Sequence, residues 1–246
     1  MYGTIEVVDS VANRFAEVVG DALARGTASE PARNGGFSLF LSGGPTAKEA
    51  YERLAQVTGP GASAGGPVTT PSVDWTRVDA YWGDERCVPP DDKDANQRLC
   101  REALLDPVGP LRSVHPMYTS GDPADAAAAY QKELAGLDRY DLVHLGMGPD
   151  GHSASLFPGS ATLDAPDDVL VLSSVDPNDV NPLERITLTL PAIARARLVV
   201  FTVAGEPKRD AFDRVRKGED LPAGRVQAGE VLWLVDRDAA GEPAGR

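Results

Sequence analysis

The stretch FSLFLSGGPTAKEAYERL, residues 37–54, joins an apolar run to a helical pattern through a glycine-rich turn. Phe37–Leu41 predicts a buried strand, and Pro45–Gln56 predicts a helix. Pro45 suits the first helical position, where its missing N–H costs nothing. The stretch therefore predicts a strand–turn–helix unit, from which α/β proteins are built.

The same alternation continues along the rest of the chain. Further strands are predicted at Thr4–Val8, Val78–Trp82, Leu142–Met147, Val169–Ser173, Ile186–Leu190, Leu198–Val203 and Val231–Val235. Further helices are predicted at Val11–Arg25, Gln97–Leu105, Ala124–Leu137 and Lys208–Lys217. Such alternation predicts an α/β fold in which helices cover both faces of a mostly parallel sheet.

The 246 residues suit one α/β domain, and no shift of composition divides them. We therefore expect a single domain over residues 1–246. The stretch TGPGASAGGPVTTPS, residues 58–72, is dense in Gly, Pro, Ser and Thr, which predicts a flexible surface loop. We also expect a disordered tail over residues 238–246.

The chain carries 24 Lys and Arg against 37 Asp and Glu, a formal net charge of −13. This balance argues against nonspecific nucleic-acid binding, but a few basic residues can still hold a small anionic substrate. Two cysteines and three histidines support neither a disulfide scaffold nor a Cys/His zinc site. Since we find no signal peptide and no apolar run of membrane-spanning length, we expect a cytoplasmic protein without membrane contact.

The turn from Ser42 to Thr46 leads out of the quoted strand into its helix. Free N–H groups at a helix start, together with the helix dipole, form an anion site. Gly43 and Gly44 let the backbone approach a ligand closely. We predict that Ser42, Gly43, Gly44 and Thr46 bind phosphate, although a plain strand-to-helix turn would look the same.

Polar side chains also follow Val78–Trp82. Asp84 and Arg86 share one face of an extended segment, where a carboxylate and a guanidinium can orient water and polarise a carbonyl. A weak surface ion pair is the alternative interpretation. Asn96 comes next and suits either a helix cap or a ligand contact.

The stretch LGMGPDGHSASLFPG, residues 145–159, matches the G-x-G-x-x-G pattern of a dinucleotide-binding turn. That pattern belongs to the first βαβ unit and leads into a helix, whereas this stretch follows the fourth strand and continues into helix-breaking residues, so we expect no dinucleotide. His152 instead suits general base catalysis, and Asp150 can hold its ring in one tautomer. A purely structural histidine is the alternative. We expect His144 in the core and His115 in a turn.

The last candidate loop follows Leu198–Val203 and places Lys208 at the start of a helix. A lysine there opposes the helix dipole, which is tolerable where an anion binds. Arg185, at the start of RITLTL, is a candidate to join it. Solvated surface charge is the alternative interpretation for both side chains.

Four loops that follow strands thus carry an anion turn, an Asp/Arg pair, an Asp/His pair and a lysine. Parallel strands bring such loops to one edge of the sheet, where ligands of open α/β sheets bind. A phosphate site and an acid–base site would then be neighbours, which indicates chemistry on a phosphorylated small molecule.

Five segments resemble, in the same order, those of the 6-phosphogluconolactonase family, whose superfamily includes glucosamine-6-phosphate deaminases. They are LSGGPT, WGDERCVPPDDKDANQRL, GMGPDGHSASLFPG, RITLTLPAI and FTVAGEPKRDAF. The resemblance implies a three-layer α/β/α sandwich with a Rossmann-like sheet. It further implies hydrolysis of 6-phospho-D-glucono-1,5-lactone to 6-phospho-D-gluconate in the oxidative pentose phosphate pathway, with no organic cofactor and no obligatory metal.

By this resemblance His152 activates the attacking water, and Asp150 orients or tunes it. Asp84 and Arg86 would line the site near the lactone, with Arg86 as the candidate to stabilise charge on the carbonyl oxygen. The substrate and its phosphate would be held by the remaining candidates: Ser42, Gly43, Gly44, Thr46, Asn96, Arg185 and Lys208.

Two positions depart from the family pattern. Pro45 stands where Ser or Thr is usual, so the phosphate would rely more on the two glycines and on Thr46. Ala95 stands where Ser is frequent, and Asn96 thereby loses a hydroxyl neighbour.

Two other functions compete with lactone hydrolysis. Glucosamine-6-phosphate deaminases resemble D-G-H-I-A-F-N-E-P in the histidine loop, whereas residues 150–158 here read DGHSASLFP and lack the Asn-Glu pair. A non-catalytic sugar-phosphate sensor would need an attached DNA-binding module, and only about 36 residues, acidic overall, precede the quoted strand. We therefore predict a lactonase that acts on a phosphorylated sugar lactone as a monomer or weak homo-oligomer.

Overall fold

The computed structural model describes residues 1–28, 36–62 and 71–242. Within these ranges the strands are β1 (Thr4–Val8), β2 (Phe37–Leu41), β3 (Val78–Trp82), β4 (Asp84–Arg86), β5 (Ser113–Val114), β6 (Tyr140–Gly146), β7 (Val171–Ser174), β8 (Arg185–Leu188), β9 (Ala196–Val203) and β10 (Glu230–Asp236). Seven of them form one sheet, in the order β1-β10-β9-β6-β2-β3-β5, and every pairing in it is parallel.

Helices flank this sheet, as the sequence predicted for an α/β fold. In the described ranges they are α1 (Val11–Ala28), α2 (Pro45–Thr58), α3 (Asn96–Cys100), α4 (Asp106–Val108), α5 (Pro123–Leu134), α6 (Leu190–Ile193), α7 (Arg209–Arg216), α8 (Pro222–Arg225) and α9 (Arg237–Ala240). A π-helical turn, Arg101–Leu105, joins α3 to α4, so the helix predicted over Gln97–Leu105 changes its winding midway. No described helix is both long enough and apolar enough to cross a membrane.

Burial explains why the sequence of β2 is apolar at every position except Ser38. All five residues of β2 and all five of β3 are buried, because β2 lies between β3 and β6 and the sheet is covered on both faces. The polar exception in β2 is Ser38, whose backbone N–H and hydroxyl both donate to Asp141 at 3.0 and 3.1 Å. The buried polar groups of these two neighbouring strands therefore satisfy each other.

The strands β4, β8 and β7 form a second, antiparallel sheet in that order. The expectation that Asp84–Arg86 lies in a loop after β3 was therefore wrong, because a three-residue strand is too short to show a period in the sequence. Gly83 is the junction between the sheets. Its N–H donates to Leu41 O of β2 and its carbonyl accepts from Leu188 N of β8, both at 2.8 Å.

Two expectations about irregular segments fall partly outside the described residues. Of the loop predicted over 58–72, residues 63–70 are not described, and Thr58 still belongs to α2. The predicted disordered tail over 238–246 begins inside α9, so that expectation was wrong for residues 238–240. Asp236 caps this helix by accepting from Ala239 N at 2.7 Å, and Gly241 ends it in the left-handed conformation.

The topology brings the predicted site to one edge of the main sheet. The strands β9, β6, β2 and β3 are neighbours and run parallel, so their carboxyl ends lie side by side. β9 is followed by the loop that carries Lys208, and β6 by the loop that carries His152. The anion turn follows β2, and the strand β4 follows β3. This arrangement confirms the predicted convergence of the loops.

Candidate active site

An open cleft of about 320 Å³ lies at this edge of the sheet. Ten of the eleven predicted site residues line it: Ser42, Gly43, Gly44, Thr46, Asp84, Arg86, Asn96, His152, Arg185 and Lys208. The remaining one, Asp150, contacts His152 instead. Residues that are far apart in the sequence therefore share one cavity.

The His152 ring is held by Asp150. Its Nδ1 lies 2.5 Å from Asp150 Oδ1, and the same oxygen accepts from the His152 backbone N–H at 3.1 Å. Burial opposes ionisation of Asp150, but the hydrogen bonds and charge of His152 outweigh it and lower the pKa of Asp150 below its ordinary value. An ionised Asp150 favours a proton on Nδ1, which leaves Nε2 of the neutral ring as a proton acceptor.

Glycines shape the loop that presents His152. A side chain on Gly148 would meet His152 Nδ1 at 2.1 Å, so only glycine allows the ring to lie across the backbone. Gly151 has a φ of 84°, which favours glycine as well. The loop continues through a Ser153–Leu156 bridge and not into a helix. These glycines therefore allow the loop to hold the His152 ring against its own backbone.

Asp84 is buried at the base of the cleft with several donors around it. Its Oδ2 accepts from the Ser155 hydroxyl at 2.6 Å, and its Oδ1 accepts from Asn96 Nδ2 at 3.3 Å. Arg185 Nη1 lies 3.8 Å from Oδ2. These contacts fix the position of the Asp84 carboxylate next to the Arg185 guanidinium.

Arg86 does not pair with Asp84, so the alternative of a weak surface ion pair between them is wrong. Arg86 Nη1 donates to the carbonyl of Asp94. In the part of the chain that the structure describes, the buried Nε atoms of Arg86 and Arg185 have no hydrogen-bond partner in the protein. Both residues line the cleft, so their positive charge is available to a bound anion.

Arg185 is a buried cation that lines the cleft. Its guanidinium lies 5.5 Å from the centre of the Phe157 ring and donates to Asn181 Oδ1 at 3.4 Å. Burial lowers the pKa of Arg185 below its usual value, against the opposing charge of Asp84. The side chain is thus oriented by an aromatic face, an amide and a carboxylate.

The anion turn has the form that its sequence predicts. Gly44, with a φ of 94°, precedes Pro45 at the start of α2, and no side chain caps this helix. Its first N–H groups are therefore free to bind an anion. A side chain on Gly43 would meet Asn96 Oδ1 at 1.8 Å, so this glycine lets the turn pack against Asn96.

Asn96 contacts the site and does not cap α3. Its Nδ2 donates to the Asp84 carbonyl at 2.9 Å, while the cap is supplied by Glu85. The Glu85 carboxylate accepts from the backbone N–H groups of Arg86, Asn96 and Gln97, each at 2.7 Å. Burial raises the pKa of Glu85 to about 7, although these three N–H groups act in the opposite direction.

Lys208 stands at the N-terminus of α7 and lines the cleft. Among the described residues no carboxylate oxygen lies within 4 Å of its ammonium group. Burial lowers the pKa of Lys208 below its ordinary value, although the charge of Asp150 opposes that shift. A half-buried lysine without a close partner is suited to bind an anion.

Sequence analysis missed four residues of this site: Glu85, Ser155, Asn181 and Thr202. Alternation along β4 could have indicated Glu85, since it faces away from Asp84 and Arg86. Ser155 contacts Asp84, 71 positions away in the chain. Such contacts depend on the packing of the two sheets and leave no local signal. In residues 1–28, 36–62 and 71–242, no cluster of His, Cys, Asp or Glu is arranged to hold a metal ion.

The arrangement combines an acid–base group with a surplus of positive charge. His152 offers Nε2, while two guanidinium groups, an ammonium and a helix N-terminus surround the same cavity. Among the described residues, Asp84 is the only carboxylate that lines the cleft, although the whole chain has a net charge of −13. The site can therefore hold an anionic molecule and remove a proton near it.

Comparisons with known proteins agree with this geometry. The family model for glucosamine-6-phosphate isomerases/6-phosphogluconolactonase matches residues 5–233. A 6-phosphogluconolactonase of Synechocystis sp. is 38% identical over 223 residues, covering 85% of each chain. One of Mycobacterium tuberculosis is 43% identical over 186 residues, covering 68% of this chain and 74% of that relative.

Solved structures agree as well. The crystal structure of 6-phosphogluconolactonase from Thermotoga maritima covers 95% of this chain and 99% of its own, with a TM-score of 0.76 and 28% identity. Since sequence and fold match over most of its length, the chain belongs to the glucosamine-6-phosphate isomerase/6-phosphogluconolactonase family.

Proposed function

We propose that this protein hydrolyses 6-phospho-D-glucono-1,5-lactone to 6-phospho-D-gluconate, the lactonase step of the oxidative pentose phosphate pathway. The observation that carries the proposal is the meeting of His152 with three cations and a helix N-terminus in one cleft. A phosphorylated lactone needs both parts: a base for the attacking water, and positive groups for the phosphate and for the carbonyl oxygen.

The reaction begins with removal of a proton from water by Nε2 of His152. The resulting hydroxide adds to the lactone carbonyl carbon, and negative charge develops on the carbonyl oxygen. Arg86 is the candidate to stabilise that charge, because it is a cationic side chain that lines the same cleft as His152. Asp150 keeps the histidine in the required tautomer and stabilises the imidazolium that forms.

The second step breaks the bond between the carbonyl carbon and the ring oxygen. The tetrahedral intermediate collapses, and the imidazolium of His152 returns the proton to the departing ring oxygen. The product is the open-chain carboxylic acid, which ionises at neutral pH. Binding of the phosphate by the N–H groups of the anion turn and by Lys208 holds the lactone in place through both steps.

A covalent serine intermediate is not part of this proposal. The two serines that follow the histidine are engaged elsewhere: Ser153 donates to Gly146 O at 2.9 Å, and Ser155 donates to Asp84 at 2.6 Å. Neither hydroxyl contacts His152. Direct attack by water is therefore the mechanism that the contacts favour.

The proposal also covers the setting in which the protein works. We place it in the cytoplasm, as a monomer or a weak homo-oligomer. Cys87 and Cys100 are both free thiols, which suits a reducing compartment.

A coupled assay tests the proposal. Freshly generated 6-phosphogluconolactone is mixed with the protein, and 6-phosphogluconate is followed with a dehydrogenase that consumes it. We expect hydrolysis well above the spontaneous rate. A parallel assay measures ammonia release from glucosamine 6-phosphate. Ammonia release without lactone hydrolysis would replace the lactonase with a deaminase, and binding of sugar phosphates without either reaction would indicate a sensor.

A further inference from the structure

A buried chain of hydrogen bonds runs from the anion turn through His144 of β6 to Thr202 of β9. Ser42 N donates to the Tyr51 hydroxyl at 2.7 Å, and that hydroxyl lies 2.7 Å from His144 Nδ1. His144 Nε2 lies 2.9 Å from Thr202 Oγ1. Tyr51 and His144 are fully buried, whereas Thr202 also lines the cleft.

Counting donors fixes the direction of every bond in this chain. Burial lowers the pKa of His144 to about 3, so its ring is neutral and carries one proton. The Tyr51 oxygen already accepts from Ser42 N, and His144 Nδ1 is the one acceptor that the described residues offer to the tyrosine proton. Tyr51 therefore donates to Nδ1, and the ring proton is on Nε2.

The opposite tautomer would leave a buried donor unsatisfied. If Nδ1 carried the proton, the Tyr51 oxygen would accept two hydrogen bonds and its own O–H would have no acceptor. An unpaired buried hydroxyl is costly, and the apolar contact of Phe15 with the His144 ring, with centroids 4.4 Å apart, leaves no polar alternative on that side.

The Nε2 proton in turn fixes the role of Thr202. His144 Nε2–H donates to Thr202 Oγ1, so the threonine proton points away from the histidine. Thr202 lines the cleft, and its hydroxyl is therefore a donor toward whatever binds there. Because Tyr51 belongs to α2, these hydrogen bonds lie on the face of the sheet that α2 covers. The free N–H groups at the start of α2 lie on the same face.

We propose that the Thr202 hydroxyl donates to a phosphate oxygen of the ligand, and that Tyr51 and His144 are positioning residues that orient this donor. The proposal deepens the lactonase assignment by naming a further phosphate contact, and it rests on the cleft being a phosphate site. Thr202 would work with the N–H groups of the anion turn and with Lys208.

The first test is independent of activity. The protein has three histidines, and ¹⁵N NMR of labelled protein distinguishes their tautomers, with His144 assigned by its loss in a His144→Gln variant. We expect the His144 ring to stay neutral with its proton on Nε2 from pH 5 to 8. A proton on Nδ1 would overturn the proposal, because Thr202 would then donate to the histidine.

The second test measures phosphate binding. Calorimetry with inorganic phosphate and with 6-phosphogluconate should show a Kd about tenfold higher for Thr202→Val, which keeps the shape and removes the donor. Thr202→Ser should restore most of the affinity. Thr58→Val is the matched control, because Thr58 is also a buried threonine but lies at the end of α2 away from the anion turn, where it donates to Leu54 O at 2.7 Å. Unchanged affinity in Thr202→Val would refute the phosphate contact.

A double-mutant cycle tests the positioning residues. Tyr51→Phe should weaken phosphate binding by less than Thr202→Val does, and its effect should shrink in the Thr202→Val background, because Tyr51 acts partly through that hydroxyl. Fully additive effects would remove Tyr51 and His144 from the proposal. None of these measurements uses turnover, so a failed lactonase assay would leave them valid, and their failure would leave the lactonase assignment intact.

Discussion

The molecule contains two histidine–carboxylate pairs, one inside the cleft and one outside it. His152 Nδ1 contacts Asp150, and His115 Nδ1 contacts Glu133 in the same way. Outside the cleft, the other ring nitrogen is also occupied: His115 Nε2 lies 2.7 Å from the Ser113 hydroxyl. For His152, no group in the described ranges bonds Nε2.

The outer pair even has the order of a serine hydrolase triad, with Ser113, His115 and Glu133 in line. Its serine is not available, because the Ser113 hydroxyl donates to Asp79, which also forms a bidentate pair with Arg112. The pair is therefore part of a closed hydrogen-bond network. A histidine–carboxylate contact therefore indicates catalysis only where the second ring nitrogen faces a cavity with complementary charge.

We expect the largest loss of activity when His152, the histidine of the cleft pair, is replaced. His152→Ala should lower kcat/KM for the lactone by about 10²- to 10⁴-fold, the usual contribution of a general base. The measurement is the coupled assay, corrected for spontaneous hydrolysis. Circular dichroism and phosphate binding should stay near wild type. A variant that keeps wild-type turnover would exclude His152 as the base.

The carboxylate of the cleft pair should matter less than its histidine. Asp150→Asn should lower kcat by about 10- to 100-fold, because an amide no longer favours the required tautomer or stabilises the imidazolium. KM should change little, since Asp150 does not line the cleft. Stopped-flow or initial-rate kinetics would separate the two constants. A change confined to KM would assign Asp150 to binding.

Lys208 lines the cleft, and no described carboxylate is close to its ammonium group. Near His115, by contrast, the cation Arg112 is paired with Asp79. Lys208→Met should raise KM for the phosphorylated lactone about tenfold and leave turnover of unphosphorylated gluconolactone unchanged. Because burial lowers the pKa of Lys208, phosphate affinity should fall as pH rises, at a pH below that of an ordinary lysine. Lys208→Arg should retain its affinity over that range. Equal losses with both lactones would contradict a phosphate role.

The smallest effect on activity is expected outside the cleft. His115→Ala should leave kcat/KM within about twofold of wild type but lower the free energy of unfolding by about 1–3 kcal/mol. It removes a ring stacked on Tyr81 at 4.3 Å together with its two hydrogen bonds. Thermal unfolding and the coupled assay check both parts. A large loss of activity would mean that the two pairs are not functionally distinct.

The sequence predicted the parts of the molecule whose local pattern and burial coincide. The predicted bounds of β1, β2 and β3 are those observed, and the predicted loops meet because consecutive parallel strands end at one edge. The β4 strand was missed because three residues carry no period. Thr202 and Tyr51 were missed because their roles depend on which side chains meet across α2, β6 and β9. The sequence pattern of a single strand or helix does not indicate such contacts.

The pairing of β4 with β8 has a consequence for the charge of the cleft. Asp84 pairs with Thr187 and Arg86 with Arg185, so Asp84 and Arg86 face one side and Glu85 the other. A slip of one residue would turn all three side chains over. Glu85 would then enter the cleft in place of Asp84 and Arg86, so the cavity would lose a guanidinium, and α3 would lose the acceptor for its first N–H groups. The alignment of two short strands thus sets how much positive charge the cavity presents to an anion.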